Sequence, residues 1–136
     1  MTWFSSALIS MLLYGIWGFL SKLATHSINS VSVLLFQMLG GMVVTLLVVG
    51  FSGFKIEYEW RGGSVGFLVG AVGMLATLFF IHALSQGSAS IVSIVTALYP
   101  LLTIGLAFLF LKESLTFPQG VGAILGLISI ALFTVD

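Results

Sequence analysis

Cysteine is absent from the chain, and charge nearly so: four Lys or Arg and four Asp or Glu stand among 136 residues. At 6% of the residues, charge falls far below the roughly 25% of a soluble domain. Without cysteine there is no disulfide, no thiolate nucleophile and no Cys-based metal site, and the redox compartment is left open. The formal net charge of zero suggests neither nucleic acid nor an acidic partner. His26 and His82 fall on separate segments, so they make neither a metal site nor a catalytic set, and no Ser, His and Asp grouping is apparent. Neither an enzyme nor a cofactor is expected.

What fills the chain is apolar sequence, 60% of its residues, gathered into five stretches: 3–20, 32–51, 64–85, 89–111 and 117–135. A hydrocarbon core about 30 Å thick takes roughly 20 residues of helix to cross. The expectation is an all-α polytopic membrane protein of five transmembrane helices, a single domain over residues 1–136 with the lipid bilayer as its surroundings. A soluble bundle would need a polar stripe on every helix, and no span has charge through its middle. A membrane β-barrel would need alternation of apolar and polar residues, which is missing. No Lys or Arg precedes the first span, which is longer than a signal core, so it is expected to be retained.

Five spans place the termini on opposite sides of the membrane. Lys55, Arg61 and Lys112 fall on the N-terminal side and Lys22 on the other, so the positive-inside rule favours a cytoplasmic N-terminus. So small a bias also permits insertion in both orientations. The loop over 52–63 interleaves Lys55, Glu57, Glu59 and Arg61 with Ile56, Tyr58 and Trp60, a mixture suited to headgroup depth; a substrate-binding loop is the alternative. Gly62 and Gly63 are expected to free the backbone for the turn into the third span.

Small and polar residues recur at three- and four-residue steps, one stripe per helix. They are Ser6, Ser10, Tyr14, Trp17 and Ser21; Gln37, Gly41 and Thr45; Gly66, Gly70, Gly73 and Thr77; Ala89, Ser93, Thr96, Pro100, Thr103 and Ala107; and Gln119, Gly122, Gly126 and Ser129. Close helix contact accounts for pairs such as Gly66 with Gly70 and Gly122 with Gly126. Tyr14, Trp17, Gln37 and Tyr99 are too large for that and suit a partly wet, aromatic-lined cavity, with interfacial anchoring as the alternative for Trp17. Substrate-binding candidates are thus Tyr14, Trp17, Gln37, Thr96, Tyr99 and Thr103. Pro100, inside the fourth span, cannot donate to the Thr96 carbonyl and predicts a kink, with the hydroxyls of Thr96 and Thr103 one turn to either side. Such a break lines the pathway in some transporters and is purely structural elsewhere. His82, near the end of the third span, reads as interfacial or, alternatively, as a titrating relay.

Ala83-Leu84, Gly87-Ser88-Ala89-Ser90, Pro100, Lys112-Glu113-Ser114-Leu115-Thr116, Gln119, Gly122 and Leu125 together resemble an EamA-type domain of the drug/metabolite transporter superfamily. In that pattern a proline-bearing helix ends at a glutamate followed by Leu-Thr, then Gln, Gly and Leu at set steps. Trp17, Gly18 and Lys22 resemble the family's first-helix pattern, while Ser129 departs from its usual glycine. The resemblance implies one five-helix repeat, half of the ten-helix form. A direct repeat of five helices becomes an inverted repeat in the membrane, with the substrate site between halves. The function it implies is transport of a small-molecule metabolite by alternating access, as an antiparallel homodimer in the bacterial inner membrane. A heteromer with a similar short chain, or a structural or regulatory subunit that transports nothing, are the alternatives. Glu113 at the membrane edge reads as a structural cap or as a salt bridge with Lys112 or a neighbouring loop. The first-helix glutamate of the related small multidrug transporters has no counterpart, so proton-coupled cation efflux of their kind is not expected.

Overall fold

The computed structural model describes residues 2–57, 59–114 and 116–134, the side chains of 130, 133 and 134 excepted. It is all-helical among the described residues: α1 Trp3–Thr25, α2 Ser30–Phe51, α3 Trp60–Gln86, α4 Ala89–Thr96, α5 Tyr99–Leu106 and α6 Phe117–Thr134. A π-helical turn, Ala107–Leu111, prolongs α5. Four stretches are long and apolar enough to cross a membrane, namely Trp3–Thr25, Ser30–Phe51, Trp60–Gln86 and Ala89–Leu111; a shorter apolar stretch, Phe117–Ser129, lies in α6. Leu12, Leu46 and Phe79 are among the many large apolar side chains left on the outside, the surface that acyl chains require.

Local signals set the helix ends. Thr2 and Asn29 cap α1 and α2, their side-chain oxygens accepting from the N–H groups of Ser5 and Ser32. α2 ends in a Schellman motif: Phe54 N–H donates to Val49 O, Gly53 N–H to Gly50 O, and Gly53 takes the left-handed conformation at φ 69°. The Glu59 carboxylate accepts from the N–H groups of Arg61 and Gly62, so α3 begins at Trp60. Gly62 and Gly63 therefore belong to the first turn of α3 rather than to a hinge before it. At Gly62 the absent Cβ matters, because one placed there would stand 3.2 Å from the Glu59 carboxylate. Tyr58, Leu115 and Val135 lie outside the described residues.

The fourth span differs most from a plain helix. It breaks at Ala97 and Leu98, and α5 restarts at Tyr99 with Pro100 in its first turn, where a missing N–H costs least. The flanking hydroxyls turn to other carbonyls: Thr96 Oγ1 donates to Val92 O or Ser93 O, and Thr103 Oγ1 to Tyr99 O. Beyond the π-helical turn Lys112 adopts φ 55°, the left-handed place that Gly53 takes after α2. Thr116-Phe117-Pro118-Gln119 then opens α6 with half a capping box, the Gln119 carboxamide oxygen accepting from Thr116 N–H at 2.9 Å.

Two compact units result, Met1–Gln86 and Gly87–Asp136. In the first, α1, α2 and α3 pack pairwise. Its buried positions, Gly18, Ser21, Val33, Ile81 and Leu84, gather where α1 and α3 end and α2 begins. In the second, α4 packs against α6.

Candidate functional site

The closed end of the first unit is organised around Trp17. Its indole stacks on the Phe80 ring with centroids 5.0 Å apart and planes 14° from parallel, while Tyr14 meets it edge-on at 6.2 Å. Gly18 lies against Phe80: a Cβ at that position would sit 3.8 Å from its Cζ, an ordinary van der Waals contact. One turn further along α1, the half-buried Lys22 ammonium donates to the Leu84 carbonyl at 2.6 Å, placing a positive charge at the C-terminal end of α3. Trp17, Gly18 and Lys22 thus share one packing task, the joining of α1 to α3.

Beyond this contact the helices enclose an open groove of about 530 Å³, lined by Ser6, Ile9, Ser10, Leu13, Tyr14 and Trp17 of α1, Gln37 of α2 and Thr77 of α3. Three of the residues expected from sequence, Tyr14, Trp17 and Gln37, are brought together here. Thr77 joins them, and so do the hydroxyls of Ser6 and Ser10. Sequence reasoning missed Phe80, which no polar pattern marks; its signal was its place one turn after Thr77, the helical step that continues a face. The groove offers hydroxyl, amide and aromatic groups and no formal charge, so it suits an amphipathic molecule held by hydrogen bonds and ring contacts.

Thr96, Tyr99 and Thr103 belong to the second unit, and the groove is lined without them. Thr103 borders a pocket of about 280 Å³ together with Ile104, Ala107, Glu113, Ser114 and Gln119. Thr96 and Tyr99 line neither cavity. No ion pair of Glu113, whether with Lys112 or with another base, occurs among the described residues; its backbone N–H donates to Ala107 O. His82 is exposed near the end of α3, with its ring Nε2 2.7 Å from Gln86 Nε2. No cluster of three potential metal ligands occurs among the described residues.

The glycine stripes have no close neighbour among the described residues of their own units. Cβ atoms built at Gly66, Gly70, Gly73, Gly122 and Gly126 meet nothing within 4 Å.

Compared with known families, the sequence matches the EamA-like transporter family over residues 1–135. The chain belongs to that family. An uncharacterized protein of Methanocaldococcus jannaschii is 40% identical to this EamA-like chain over 63 residues, a match covering 46% of each. The EamA-like chain thus spans, in that alignment, just under half the length of its curated relative, and the two proteins are of similar length. No solved structure matches. Membership makes this a multi-pass membrane protein of a transporter family, with a bilayer around it.

Proposed function

We propose that the protein is a subunit of a drug/metabolite transporter that moves a small amphipathic molecule by alternating access, and that its substrate lies in the groove of the first unit. The observation that carries this reading is the convergence of Tyr14, Trp17, Gln37 and Thr77, from three helices, on one groove in an otherwise apolar surface. A hydroxyl or carboxamide gains nothing from lipid, so polar groups pointed at a common space fit a path that water and substrate share. Trp17 and Tyr14 would hold an apolar ring or chain, and Gln37, Thr77, Ser6 and Ser10 would read its polar groups. Ligand specificity then comes from hydrogen bonds and shape, since the groove carries no counter-charge.

The transporter is completed, in this reading, by a second copy inserted the other way up, an antiparallel homodimer in the bacterial inner membrane. Support comes from the small excess of Lys and Arg on the N-terminal side and from glycines such as Gly66, Gly70 and Gly73, whose Cβ positions meet no described residue of their own unit. Transport of a panel of amphipathic amines, amino acids and nucleosides, compared among wild type, Trp17→Ala and Gln37→Ala at equal protein amounts, tests the groove. Both variants matching wild type would sink the assignment. One-sided reporters on both termini test the pairing: signals from both sides are expected, and a single orientation would turn the search to a partner chain.

A further inference from the structure

The pocket of the second unit has a chemistry that the groove lacks. Its polar lining consists of the Glu113 carboxylate, the hydroxyls of Ser114 and Thr103 and the Gln119 carboxamide; Ile104 and Ala107 supply an apolar wall. Three features fix it in place. The π-helical turn Ala107–Leu111 and the left-handed Lys112 reverse the chain so that Glu113 returns towards α5. Gln119 is held by Thr116 N–H at its oxygen. Thr103 spends its own proton on Tyr99 O, which leaves its oxygen with lone pairs to offer.

We infer that this pocket binds a primary alkylammonium group, with Glu113 as counter-ion, Ser114 and Thr103 as hydrogen-bond acceptors, and the alkyl part against Ile104 and Ala107. The alternatives fit less well. An anion would meet a carboxylate and no basic side chain in the lining. A divalent cation wants six or more oxygens, several of them charged, and one carboxylate stands here. A quaternary ammonium prefers aromatic faces, and none lines the pocket. A head with three N–H donors meets three acceptors, and about 280 Å³ leaves room for a short carbon chain beside it. The pocket lies between the second half of the fourth span and the start of α6, and the end of a span is where a chain crossing the bilayer meets the headgroups. The ammonium can therefore belong either to a free amine or to the headgroup of an aminophospholipid.

The test uses the full chain in nanodiscs of phosphatidylcholine, which has no N–H donor, titrated with ethylammonium and followed by saturation-transfer NMR. Saturable binding is expected, weakened about two- to fivefold in Glu113→Gln, the range for loss of an ion pair at an exposed carboxylate. Tetramethylammonium, equal in charge and without donors, should bind at least tenfold more weakly. Thr103→Val, which keeps the carboxylate and the shape of the side chain, should give a smaller loss, and far-UV circular dichroism of both variants guards against misfolding. Adding phosphatidylethanolamine identifies the source: competition with ethylammonium makes the lipid the occupant, and undiminished binding makes it a free amine. Equal response to the two ammonium ions, or unchanged binding in folded Glu113→Gln, would overturn the inference.

Discussion

Gly18 is the position at which the joining of α1 to α3 can be tested by size alone. An alanine Cβ there would stand 3.8 Å from Phe80 Cζ, an ordinary van der Waals distance. Replacing a mid-helix glycine by alanine also gains about 0.5–1 kcal/mol of helix propensity. Gly18→Ala should therefore be neutral or stabilising by up to about that amount. Gly18→Leu must push three further carbons into the space of the Phe80 ring. Overpacking of this kind costs about 1–3 kcal/mol, and parting Phe80 from Trp17 forfeits a further contribution of about 0.5–1.5 kcal/mol from the stacked pair. Leucine gains nearly the same propensity over glycine as alanine does, so that part cancels and the expected difference between the two variants is about 1.5–4.5 kcal/mol. Reversible unfolding in mixed micelles gives the energies. Trp17 fluorescence in a Trp3→Phe, Trp60→Phe background, which leaves one indole of the three, reports whether the ring has moved. Equal destabilisation by Ala and Leu, or an unchanged Trp17 signal in Gly18→Leu, would refute the contact.

Lys22→Met keeps the aliphatic stem and removes the donor to Leu84 O; a loss of about 1.5–3 kcal/mol is expected, as for a hydrogen bond with one charged partner, measured in the same unfolding assay. The Glu59 carboxyl is held below its ordinary range by the N–H groups of Gly62 first and Arg61 second, against a small opposing effect of burial. Its contribution to holding the start of α3 is therefore complete above the ordinary glutamate pKa and is lost as pH falls from there through the lowered folded-state value. Glu59→Gln should abolish that acid-side step in amide exchange of the first turn of α3. The left-handed positions should respond in opposite directions: Gly53→Ala should destabilise by about 1 kcal/mol, and Lys112→Gly should stabilise by a similar amount, both read by denaturant titration.

Much of the architecture was legible because lipid imposes one rule, that a span be long and apolar, and residues 32–51 and 89–111 obey it without ambiguity. The ends were less so. Helix α1 runs on past Leu20 to Thr25 because Ser21 is buried and Lys22 reaches the end of α3, and α3 starts at Trp60 because Glu59 caps it. In both cases a polar side chain that reads as loop serves a helix. Within the groove, Tyr14, Trp17 and Gln37 stood out by being polar-tipped and large, whereas Phe80, which backs Trp17 without lining the groove, looks like any lipid-facing residue until its ring is seen on Trp17. The break in the fourth span was announced by Pro100, but its position at Ala97 and Leu98 depends on where the next helix restarts. Thr116 and Gln119, read as part of a family pattern, turn out to be a helix cap.

The absence of cysteine allows the central claim, a wet groove among α1, α2 and α3, to be tested directly. Single cysteines at Ser10, Gln37 and Thr77 in the groove, and at Leu12 and Phe79 on the outer faces of α1 and α3, would be exposed to a hydrophilic maleimide in native membranes. Labelling at all three groove positions and none at Leu12→Cys or Phe79→Cys is the result predicted. Groove cysteines as inert as the outer pair would contradict it, and with it the assignment of the substrate to this groove.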